Sequence, residues 1–286
     1  MVVQDNTNPL RKYFRQPKVY LKLPSRGKFY TPGAIDIPDS GEIPVYAMTA
    51  KDELIIKTPD ALLNGEATVE VIKSCIPNIK DPWKMPSIDS DAILIAIRLA
   101  TYGEKLEITT KVPEVGEEKT FEIDLRMLLD QLITFEFDPF ITIDDDMTVE
   151  IRPTNYKEFT ENALKTFEEQ RIFRLVNDTT IPDEQKLSAF ATSFRKLTEL
   201  TIDLVVNSIV CIDTTDGKVT DKKHIRDFFA NADRDTFEKI LKHLERMRDE
   251  SKIKPLKVRA TPEEIEAGAP EEYEIPITFD QSNFFG

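Results

Sequence analysis

The chain has 286 residues, with 38 Lys and Arg against 52 Asp and Glu, a formal net charge of −14. Hydrophobic residues make up 40%, enough for a packed core, which excludes a wholly disordered chain. The acidic balance argues against a general nucleic-acid binder, and the longest apolar run, 92–100, is broken by Arg98 and falls far short of the roughly 20 residues of a membrane span.

Residues 1–16 are polar and aperiodic and read as a flexible arm. Residues 17–48 read as extended segments laid over a body or a partner, because prolines at 24, 32, 38 and 44 prevent a helix and confine any strand to an edge. Helical signals begin at Thr49, where Thr49 and Asp52 have capping-box spacing. Thr58-Pro59 starts a short helix that Asn64-Gly65 stops, and 66–76 supplies another with Val69, Ile72 and Ile76 on one face. Residues 81–86 form a turn-rich connector. Asp89 opens a helix that Gly103 closes; it is apolar almost all round, so it is expected at the centre of an N-terminal domain.

After Gly103 the period changes to two. Leu106-Glu107-Ile108 and Phe121-Glu122-Ile123 flank a Pro/Gly turn and predict a β-hairpin. Residues 133–151 read as strands, with Asp144-Asp145-Asp146 as an acidic turn. The chain then becomes helical over 156–176, with Phe159, Ala163 and Phe167 on one face. A long helix is predicted from Pro182 to about Cys211. Its seam of Leu187, Phe190, Phe194, Leu197, Thr201, Leu204, Ser208 and Cys211 has the three–four spacing of a heptad. Either a domain core or an intermolecular coiled coil would use such a stripe. Helices near 222–230 and 234–250 follow. A second hairpin over Lys257-Val258 and 271–277 repeats the design of the first.

The reading is an α+β chain: a mostly helical body with an extended N-terminal segment and two appended β-hairpins, ribbon-like but degenerate. It divides into the 1–16 arm, the 17–48 segment, a 49–152 α+β domain, a 153–250 helical domain, and 251–286 with the C-terminal hairpin and an aromatic tail.

No catalytic constellation emerges. Glycines do not cluster into a phosphate loop. His224 and His243 lie on predicted helices amid Lys and Arg and are expected to be surface residues. Cys75 and Cys211 are too few for a disulfide framework and read as small buried hydrophobes. Asp144–Asp146 and Asp213–Gly217 read as turns, since neither has the alternating ligands of a calcium loop. The first hairpin's turn, 112–116, has zinc-ribbon spacing but valines, Val112 and Val115, where cysteines would ligate. No metal and no cofactor are expected. With no basic-then-apolar start, no secretory leader is expected either, and a reduced cytoplasmic protein is the default.

Charge and aromatics point to surfaces instead. Residues 1–30 carry net +6 and 220–259 net +4, whereas 260–286 have seven acids and no base. That polarity suits self-association or head-to-tail docking; ordinary solvated surface is the plain alternative. Phe279, Phe284 and Phe285 on the tail either fold back or anchor a partner. The candidate partner-binding residues are Phe29, Tyr30, Leu187, Phe194, Phe279, Phe284 and Phe285.

Four runs carry a family resemblance: 23–30 (LPSRGKFY), 48–65 (MTAKDELIIKTPDALLNG), 72–77 (IKSCIP) and 96–103 (AIRLATYG). Together they resemble the baseplate hub assembly proteins of T-even-type contractile-tailed bacteriophages, most strongly over about residues 20–130. The resemblance implies a non-enzymatic role in building the baseplate hub, with hub or tape-measure proteins as partners; the charge polarity adds a homo-oligomer as a further option. It supplies no catalytic residues. It also implies action in the host cytoplasm during assembly, with or without retention in the virion. The alternatives are a tail-assembly chaperone that binds a helical client along 187–211 and a metal-binding ribbon protein that has lost its ligands.

Overall fold

The computed structural model describes residues 9–57, 65–173 and 182–277. The predicted helix start at Thr58-Pro59 and the tail phenylalanines Phe279, Phe284 and Phe285 lie outside these residues.

The extended segment forms a two-stranded antiparallel sheet, β1 (Pro17–Leu21) with β2 (Ile43–Tyr46). Val19, Leu21, Ile43 and Val45 face inward and are buried, and Tyr20 faces out. Pro44 is tolerated because both strands are edges. The sheet lies on α3 (Ser90–Tyr102), which stops at Gly103 with φ 95°. Around α3 pack α1 (Ala50–Ile56), with the Thr49–Asp52 capping box in place, and α2 (Glu66–Cys75). The arm is not wholly free of structure: residues 9–13 form a 3-10 turn. Arg15 then reaches into the body, donating to the carbonyls of Ala47 and Ser74 and lying 3.5 Å from Asp52.

The first hairpin is β3 (Lys105–Lys111) with β4 (Glu118–Asp124), with Ile108 opposite Phe121. Directly after it comes a helix the sequence reading lacked, α4 (Leu125–Ile133). Asp124 caps it by accepting from the amides of Arg126 and Met127. Leu125, Leu128, Leu129 and Leu132 all turn inward at helical spacing. Residues 133–139 are consequently not strand; the strands are shorter, β5 (Phe140–Thr142) and β6 (Met147–Ile151).

β5 and β6 belong to a four-stranded antiparallel sheet of order β5-β6-β7-β8. Its other members are β7 (Ile209–Thr214) and β8 (Gly217–Val219). Two long helices are inserted between β6 and β7: α5 (Tyr156–Phe173) and α6 (Asp183–Ser208). The long helix therefore ends at Ser208, and Cys211 sits on a strand. The β-branched run Ile209-Val210 favours the extended backbone. Lys222 fixes the switch by donating from Nζ to the carbonyls of Val206 and Ile209. Then come α7 (Lys222–Asn231) and α8 (Arg234–Glu250), whose Ile225, Phe229, Phe237 and Ile240 close a second core over the sheet.

The second hairpin, β9 (Leu256–Arg259) with β10 (Glu272–Ile275), encloses a short helix, α9 (Pro262–Glu266). The two hairpins pack on one another. Val112, in the ligand-like position, is buried with Ala269, Tyr273 and Ile275, and Val115 packs at the edge. Lys119 and Glu264 pair across the contact at 2.7 Å. The valines thus do hydrophobic work in the contact between the hairpins.

Candidate docking surface

The α5–α6 pair begins at a reciprocal cap. Asn155 Oδ1 accepts from the Glu158 amide, and Glu158 Oε2 accepts from the Asn155 amide. Arg152 grips the same Glu158 carboxylate with both guanidinium ends, at 2.7 and 3.0 Å. Trp83 stacks obliquely on Tyr156, and the Ser87 amide donates to the Thr154 carbonyl. The base of the pair is thereby fastened to the first core. Gly65, at φ 79°, leaves room for this: a Cβ there would come within 3.2 Å of Tyr156 and Thr160.

Further out, Glu169 and Lys196 pair at 2.9 Å across the two helices. A charged cleft of Lys165, Glu169, Lys196, Glu199 and Asp203 lines that side. At about 100° per residue, Phe159, Ala163 and Phe167 lie roughly 80–160° around α5 from Glu169. Leu187, Phe190 and Phe194 lie roughly 120–180° around α6 from Lys196, in the same rotational sense. In an antiparallel pair, equal rotations from the contact line lead to the same side. Both stripes therefore occupy the face opposite the charged cleft. Phe159 is 51% exposed, Phe167 55%, Leu187 71%, Phe190 39% and Phe194 61%.

The predicted seam of α6 thus does not face one core. Near the base Leu204 is half-buried and Ser208 buried, but the helix enters the second core by Ile202, Val205, Val206 and the following Ile209, which lie off the seam; farther out Leu187 and Phe194 are exposed and Phe190 partly so. Large apolar side chains exposed on one side of a helical pair mark a candidate interaction site. Phe159 and Phe167 are absent from the partner-binding set read from sequence, although their four-residue spacing was visible there.

Phe29 and Tyr30 are used internally. Phe29, at φ 69°, meets Phe137 edge to face at 5.2 Å. The Tyr30 hydroxyl donates to Asp89, which also accepts from the Ser25 amide at 2.8 Å and hydroxyl at 2.6 Å. Burial pushes the Asp89 carboxyl up to about 6 despite these donors, and pushes the Tyr30 phenol well above its usual range. This buried carboxylate staples the 25–30 loop to the start of α3.

The two thiols are held in their protonated form. Burial, reinforced by Asp52, pushes the Cys75 thiol up to about 12, so it stays protonated. The Cys211 thiol is likewise raised, first by burial and then by Glu150, whose carboxylate accepts from it at 3.1 Å. His224 is exposed on α7, as expected. His243 is not: its side chain is half-buried, with Nε2 2.9 Å from the Asp138 carbonyl. Asp144–Asp146 form a turn in which the Asp146 amide donates to Asp144 Oδ1. Among the described residues no three His, Cys, Asp or Glu side chains gather to hold a metal, and no helix is long and apolar enough to cross a membrane.

A two-core α+β chain that offers an apolar helical face is a protein built for contact with other proteins. The chain belongs to the T4 bacteriophage base plate protein family, whose model matches residues 16–264. It is therefore a structural protein of the phage baseplate, interacting with other phage proteins. No curated protein and no solved structure matches it.

Proposed function

We propose that the chain is a non-enzymatic structural and assembly protein of the baseplate hub, working through protein–protein contacts with hub or tape-measure proteins. The observation that carries this is the exposed face of Phe159, Phe167, Leu187, Phe190 and Phe194 on a helical pair fastened at its base. Burying such side chains is worth about 1.5–3 kcal/mol each, which is the driving force for docking. The double substitution Phe167→Asp/Phe194→Asp tests it. Tails are expected not to assemble although the variant chain folds; normal tails would refute the docking role.

A second reading is a chaperone that holds a tape-measure-like helical client along 187–211 and then leaves. The three–four spacing of the α6 seam favours it, since that geometry accepts another helix. Mass spectrometry of purified mature particles separates the two. Presence in the virion supports the resident hub component. Absence, with tails failing to form without the chain, supports the chaperone acting in the host cytoplasm.

A further inference from the structure

We infer that the outer half of α6 docks against the outer half of α6 in a second copy of this chain, antiparallel and about a two-fold axis. The inference rests on the docking reading above and names one occupant for part of that face.

The first support is charge. From Leu187 to Phe194 the helix carries no ionisable residue, and Glu184 and Arg195 stand outside the two ends of this stretch. They are eleven residues apart, roughly three full turns, so they share one flank of the helix beside the Leu187–Phe190–Phe194 stripe. Both are exposed, and neither has an ion-pair partner among the described residues. An antiparallel two-fold between Ala189 and Phe190 puts Glu184 of each copy level with Arg195 of the other, on the same side. The helix is thus charge-complementary to itself, twice over, in one register.

The second support is shape. In that register Leu187 of one copy falls midway between the levels of Phe190 and Phe194 of the other, and the two Phe190 residues lie one residue apart across the axis, beside the small Ala191. This is the isologous, self-complementary pairing of a two-fold interface. Three–four spacing is the geometry by which such stripes interlock. The exposed parts of Leu187, Phe190 and Phe194 amount to roughly 300 Å² per copy, taking full side chains at about 150–250 Å². Two copies fall below the roughly 1,200 Å² of a stable specific interface. The dimer is therefore reversible and concentration-dependent. Phe159 and Phe167, nearer the base of the pair, stay open for a different baseplate protein.

The test is sedimentation equilibrium of the full chain over a range of concentrations, with thermal unfolding to confirm that each variant folds. The wild-type chain is expected to move from monomer to dimer as concentration rises. Arg195→Glu sets Glu184 against a like charge in both pairs and is expected to weaken dimerisation roughly tenfold. Adding Glu184→Arg to Arg195→Glu restores opposite charges and is expected to restore the dimer. A wild-type chain that stays monomeric overturns the proposal. So does an Arg195→Glu chain that dimerises undiminished, or a double variant no better than the single one. Should Phe167→Asp abolish tail assembly while the wild-type chain is monomeric, docking to other proteins stands and the two-fold contact alone falls.

Discussion

In α3 every apolar side chain from Ala92 to Ala100 except Leu94 is buried, whereas in the α5–α6 pair Phe159, Phe167, Leu187 and Phe194 face water. Both regions are helical and both carry an apolar pattern. The difference is in what surrounds them. α3 is covered by β1, β2, α2 and α4, so its apolar atoms stabilise this fold. Among the described residues, the outer parts of α5 and α6 are joined to one another by charged groups on one side. Their aromatic face retains its driving force for association. Periodicity announces an apolar stripe; it does not say whether the same chain will cover it.

That contrast can be broken or sharpened by substitution. The largest effect is expected in the first core. Ile97→Ala leaves a cavity in the first core and should lower unfolding stability by about 2–5 kcal/mol in a urea titration. A loss under 1 kcal/mol would show α3 to be less central than its burial implies.

Next comes the buried staple. Asp89 has a folded-state carboxyl raised to about 6, above its ordinary 3.8, so the folded chain holds that proton more tightly than the unfolded chain. Its contribution is therefore greatest below pH 4, declines as pH rises to about 6, and is flat above. The decline amounts to roughly 3 kcal/mol at about 1.4 kcal/mol per unit. Asp91, also raised to about 6 by burial, acts in the same direction. Stability of Asp89→Asn measured against wild type from pH 4 to 7 should lack Asp89's share of this slope; parallel curves would reject it.

A smaller effect is expected at the Thr49 cap, where Thr49→Ala removes the acceptor for the Asp52 amide and should cost about 1 kcal/mol in thermal unfolding. The smallest is at the exposed face. Phe194→Ser should change monomer stability by no more than about 0.5 kcal/mol while impairing association. A large destabilisation there would mean that Phe194 supports the fold itself.

The sequence made much of the first core legible. An almost wholly apolar stretch ended by Gly103 specifies a buried helix, and Thr49 with Asp52 specifies a helix start. Both hairpins follow from period-two alternation around turns. The α4 helix was hidden because Phe121-Glu122-Ile123 before it and Ile133, Phe135, Phe137 after it alternate as strands do. Asp124 with Leu125, Leu128, Leu129 and Leu132 was the overlooked signal. The end of α6 was misplaced because Cys211 continues the three–four spacing across a real change of backbone. Asp89, by its local sequence, signals only a helix opening. Its partner Ser25 lies 64 residues away, and no local pattern announces such a contact. The exposed face was half legible: the seam includes Leu187 and Phe194, and nothing in it told that the second core would take α6 by Ile202, Val205, Val206 and the following Ile209 instead.

One feature of the topology bears on how such a chain changes over evolutionary time. Ile151 and Ile209 are register partners on neighbouring strands, so everything from 152 to 208 leaves the sheet and returns to it at one point. The helical pair is a boom on a fixed mount. Adding or removing a heptad from both helices would move its tip by about 10 Å and keep the aromatic face pointing the same way. The sheet and both cores would be untouched. Reach can thus be tuned to the spacing of neighbours in an assembly while the fold stays constant.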